Sequence, residues 1–125
     1  MPWGLKDRWQ KRLLILVQDW IGWDTPLEQT DIYGIRRYEG GARLLSHVDR
    51  ITTHAVSLII NVAQTDMKEP WMVEIYDFAG RLHEIEMQPG DVVYYEVCIY
   101  AILVSCFLNP NLYTNKNVVF CCIVS

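Results

Sequence analysis

The chain has 125 residues, 51% of them hydrophobic and 21% charged, with a formal net charge of −4 at pH 7. That length accommodates at most one ordinary domain, and the apolar content argues against global disorder. The acidic balance argues against a nucleic-acid partner, because phosphate binding rests on concentrated Lys and Arg.

In chain order, Trp3, Trp9, Leu13, Leu16, Val17 and Trp20 recur at three- and four-residue intervals. This predicts an amphipathic helix over 3–21, closed by Gly22 and a loop through Pro26. Its tryptophans are expected to pack in the core rather than line a ligand cage. Lys6, Arg8, Lys11 and Arg12 read as a solvated helix face. The apolar run Leu13–Val17 is followed by Gln18-Asp19, so it does not resemble a secretory signal. No segment reaches the roughly 18 to 20 uninterrupted apolar residues of a spanning helix. A soluble, cytoplasmic chain with no membrane span is the expectation.

From Ile32 the texture changes to strands. "IYGIRRY" is one, and Gly40-Gly41 turn the chain into "ARLLSHV". "THAVSLIINVAQ" (53–64) is a long β-branched run suited to burial on both faces. "WMVEIYDF" and "RLHEIEM" flank a hairpin tip at Ala79-Gly80, and Pro89-Gly90-Asp91 turns into "VVYYE" (92–96). One helix followed by five or six short strands predicts a mainly β fold with an N-terminal helix, a sandwich or barrel.

At Val97 the composition breaks. Cys98, Cys106, Cys121 and Cys122 all follow it, and Lys116 is the only charged residue beyond Glu96. The apolar run 97–108 is too short to cross a bilayer, and the cysteine spacing fits no zinc or thioredoxin pattern. Three segments follow: a helix and lead-in over 1–30, a β-domain over 31–96 and an aberrant apolar tail over 97–125.

"RLLSHVDR" (43–50) carries the chemistry. Alternate residues of a strand share a face, so His47 and Asp49 point the same way. An imidazole nitrogen and a carboxylate oxygen are two of the three ligands of the 2-His-1-carboxylate triad, which holds Fe(II) and keeps positions open. Taken alone, H-x-D is a common pattern, and a surface histidine beside an aspartate explains it better.

The surrounding phrases decide between these readings. "YGIRRYEGGARLLSHVDR", "THAVSLIINVAQ" and "GRLHEIEMQPGDVVYYE" together resemble the catalytic domain of the prolyl 4-hydroxylase-like Fe(II)/2-oxoglutarate-dependent dioxygenases. The resemblance covers Tyr33 to Glu96. It implies a double-stranded β-helix (jelly roll), His47 and Asp49 as iron ligands, and Tyr38, nine residues before His47, as a hydroxyl that binds 2-oxoglutarate. Fe(II), 2-oxoglutarate as co-substrate and ascorbate are the cofactors it implies, and a peptide or small molecule the substrate. The family often places a tyrosine three residues before the metal histidine in peptidyl-prolyl hydroxylases; Leu44 stands there, so another substrate fits as well.

The pattern then stops. The family supplies its second metal histidine, in a phrase like A-K-x-L-H-G-R, shortly after "DVVYYE", and a Lys or Arg for 2-oxoglutarate beyond it. This chain has no histidine after His83, and Lys116 is its only later cation. His54 and His83 read as turn or strand histidines rather than replacements. The β-helix is therefore expected to be incomplete and the hydroxylase impaired or inactive; the alternative is a non-catalytic β-sandwich binding fragment or a gene-model artefact. Val97-Cys98 can be encoded by GTATGT, a splice-donor hexamer, which makes translated intron a hypothesis for the tail. A locus with no downstream exon encoding an H-G-R-like segment would refute it.

Overall fold

The computed structural model describes residues 2–39, 42–47, 55–65, 67, 70, 72–96, 104–107 and 117–124, the last two segments by their backbone. The helix α1 (Trp3–Ile21) is followed by β1 (Asp31–Tyr38), β2 (Arg43–His47), β3 (Val56–Thr65) and β4 (Met72–Tyr76). Then come β5 (Leu82–Glu86), β6 (Val92–Glu96), β7 (Val104–Phe107) and β8 (Asn117–Val124). The protein is mainly β with one N-terminal helix. No helix among the described residues is long and apolar enough to cross a membrane.

The strands form two four-stranded sheets, β1-β8-β3-β6 and β2-β7-β4-β5, and every neighbouring pair is antiparallel. Alternation along β3 explains the layering. Val56 and Leu58 face α1 and pack with Leu13, Val17 and Ile32, whereas Ile59 faces the second sheet and packs with Val73, Met87 and Tyr95. The first sheet is thus covered on both faces, by helix and by sheet, as its β-branched sequence requires. Gly34, at φ +97°, takes up the register shift that bends β1 against β8.

Beyond Glu96 the backbone adds two further strands. β8 inserts between β1 and β3, and β7 between β2 and β4, so strands from beyond the composition break occupy inner positions in both sheets. The physical reason is the pattern itself. "VSCF" and "NVVFCCIV" are apolar and largely β-branched, aromatic or Cys, suited to strands with a neighbour on each side.

The helix also corrects one expectation. Trp9, Leu13, Val17 and Ile21, spaced by four, make the stripe that meets the sheet. Trp3 is 85% exposed and Trp20 44%, because Trp3 lies at the free end of the helix and Trp20 is rotated off that stripe. Of the basic residues, Lys11 pairs with Asp7 on the surface. Lys6 reaches β1 instead, bonding Asp31 at 2.6 Å and holding that carboxyl below its usual range. Buried Gln18 organises the helix end: its amide donates to the carbonyls of Gly22 and Thr25, and its oxygen accepts from the Leu27 N–H.

Candidate functional site

His47 closes β2, the outermost strand of its sheet. Its Nδ1 lies 2.9 Å from the Leu45 carbonyl oxygen, which can only accept. Nδ1 therefore carries the proton, and Nε2 is the nitrogen that could ligate an ion. This is the orientation that metal-binding histidines adopt when a backbone carbonyl fixes the tautomer.

Register across the second sheet sets what stands beside it. His47 is opposite Val104, Val104 is opposite Ile75, and Ile75 is opposite His83. One row at one end of the sheet thus reads His47, Val104, Ile75, His83, and Ile75 within it packs into the inter-sheet core. Three strand spacings separate the two histidines, about 14 Å, so His83 cannot share an ion with His47. The position next to His47 on the neighbouring strand is Val104, which offers no ligating atom.

Tyr38 is half-buried and packs against the inter-sheet core, as does Leu44. Its register partner on β8 is Val118, which pairs with Gln64 on β3. Asp49, His54 and Lys116 lie outside the described residues. Among the described residues no group of three His, Cys, Asp or Glu side chains could hold a metal ion. The donors present therefore fit iron only in part: His47 has the right tautomer, and no complete triad is assembled among the described residues.

His83 has a different task. Its Nε2 meets Asp77 Oδ2 at 3.0 Å, at the tip of the β4–β5 hairpin. Asp77 also accepts from the backbone N–H groups of Ala79 and Arg81, both at 2.9 Å, and from the Arg81 Nε at 2.7 Å. Gly80, at φ +75°, provides the left-handed step that lets one carboxylate reach them all. The His83 bond first, then the Arg81 N–H, holds the Asp77 carboxyl far below the ordinary carboxylate range.

The sign of the linkage follows. A depressed native value contributes stability that is complete above the unfolded pKa of about 4. That stability is lost as pH falls toward the depressed native value. The melting-temperature gap between wild type and Asp77→Asn is expected to be full at neutral pH and to close on acidification below about pH 4. A gap independent of pH, followed by thermal melts from pH 7 downward, would refute this.

Beside this hairpin a cleft of about 670 Å³ opens where β5 and β6, the outer strands of the two sheets, come together. Ile75, Ile85, Val93 and Tyr95 bring the inter-sheet core to its floor, and Trp20 of α1 reaches its wall. Neither His47 nor Tyr38 lines it. These lining residues come from segments far apart in the chain, so no local motif announces them.

No family model, curated protein or solved structure matches the chain.

Proposed function

We propose that the chain carries the double-stranded β-helix scaffold of a prolyl 4-hydroxylase-like Fe(II)/2-oxoglutarate-dependent dioxygenase, with a metal centre that lacks its second histidine. The carrying observation is the pairing of H-x-D chemistry with topology. The strand orders β1-β8-β3-β6 and β2-β7-β4-β5 support a reading as two Greek keys of a jelly roll, and His47 stands at the end of β2. The His47 tautomer, set by the Leu45 carbonyl, supports the same reading.

In this reading His47 and Asp49 hold the ion and Tyr38 contacts 2-oxoglutarate. Bound iron would supply oxidative decarboxylation of 2-oxoglutarate coupled to hydroxylation of a substrate C–H bond. The chain's own contribution is to present one oriented imidazole at the mouth of a dry inter-sheet core. With Val104 beside it, affinity for the metal is weak and turnover is crippled.

The test is an anaerobic Fe(II) or Co(II) titration, with 2-oxoglutarate-to-succinate conversion measured in parallel. Weak metal binding that His47→Ala and Asp49→Ala each abolish, with succinate release near background, is the expected result. Binding indifferent to both substitutions would overturn the reading. A non-catalytic binding domain is the second reading, favoured by Val104 in the ligand row and by a cleft three strands away from His47.

A further inference from the structure

We propose that the cleft between the outer strands β5 and β6 is a docking site for an extended, arginine-bearing peptide segment of a partner protein. The inference does not rest on the iron site and holds for an active or an inactive chain.

Three independent features converge. The first is hydrogen bonding. β5 and β6 each end their sheet, so each presents a row of backbone N–H and C=O groups with no neighbouring strand among the described residues. Such an edge accepts an added strand, with main-chain bonds providing affinity and alternate side chains entering pockets.

The second is charge. Asp77, Glu84 and Glu96 rim the cleft, and no Lys or Arg among the described residues lines it. Asp77 is committed to its hairpin, whereas Glu84 and Glu96 have no ion-pair or hydrogen-bond partner among the described residues. Glu84 also stands directly opposite Glu74 across the β4–β5 ladder, a like-charge pair that costs stability until a cation intervenes.

The third is shape. Trp20 and Tyr94 sit with ring centroids 5.4 Å apart on one wall, and Phe78, 63% exposed, stands at the hairpin tip. A guanidinium stacks on such rings while bonding carboxylates in its plane, which the compact ammonium of Lys does less well. The volume lies within the range of functional pockets. A strand-like peptide with Arg at alternate positions satisfies edge, carboxylates and aromatic wall together; a small cation satisfies only the last two.

The probe is a fluorescein-labelled octapeptide alternating Arg and Val, titrated with the full chain and followed by fluorescence anisotropy. A Glu/Val peptide of equal length should bind at least tenfold more weakly. Glu84→Lys with Glu96→Lys should weaken the Arg peptide by about tenfold or more. Both positions are solvent-exposed, and Glu84→Gln with Glu96→Gln, checked by thermal melting, provides a second pair with a smaller loss in the same direction. N-methylation of alternate peptide amides should also reduce binding. Equal affinity for the two peptide charges, no binding of either, or no effect of both double variants would overturn the site. Insensitivity to N-methylation, or full competition by arginine amide at peptide concentrations, would overturn strand addition and leave a small-cation pocket.

Discussion

Ending the chain at Glu96 is expected to abolish cooperative folding. β1 has β8 as its neighbour in the first sheet and β2 has β7 in the second, so removing residues 97–125 takes from both strands the partner they have among the described residues. It also opens a strand-wide gap beside β3 and beside β4. Ile32 packs in the helix-side core and Leu44 against the inter-sheet core, so both apolar clusters lose members. The combined loss exceeds the roughly 5–15 kcal/mol by which a domain of this size is stable. Circular dichroism and thermal melting of the 1–96 chain would check this. A sharp melting transition matching that of the full chain would show that the two late strands contribute nothing to the fold. The result also bears on the translated-intron hypothesis, since a segment that completes both sheets is more than an appendage to them.

Replacing Val104 by histidine is expected to raise metal affinity by at least tenfold, about 1.4 kcal/mol. Val104 is the register partner of His47, and directly opposed residues share a face with Cβ atoms about 5 Å apart. Two imidazoles at that separation can ligate one ion, and the carboxylate that the resemblance assigns to Asp49 would complete the triad. Co(II) titration followed by visible absorption reads the change, because each added nitrogen ligand alters the spectrum. Introducing His47→Ala into the Val104→His chain should return affinity to that of His47→Ala alone. An unchanged affinity in Val104→His would mean that the end of β2 does not face an ion, and the dioxygenase reading would fall with it. A gain in metal affinity without 2-oxoglutarate turnover would place the remaining defect in the missing cationic anchor.

Much of the architecture was legible in local pattern. The helix over 3–21 follows from apolar residues at three- and four-residue spacing, and it forms over those same residues. β-branched runs bounded by Gly, Pro and Asp located six strands, and the turns at Ala79-Gly80 and Pro89-Gly90 stand where their residues demand them. The apolar face of a helix was harder to read. Leu16 and Trp20 fit the helical period as well as Leu13 and Val17 do, but a sheet meets a helix along a single stripe.

The site divides in the same way. Local sequence by itself placed His47 in a strand, where alternation gives His47 and Asp49 one face. It also determined that no histidine follows His83, because chemistry and order need no partner to be read. Only the tertiary structure decided that Val104 is the residue beside His47, that His83 serves Asp77 three strands away, and that Trp20, Glu84 and Glu96 surround one cleft. Each of these depends on which strands become neighbours and in what register. That choice is made by long-range burial of two apolar clusters, and no window of sequence contains it.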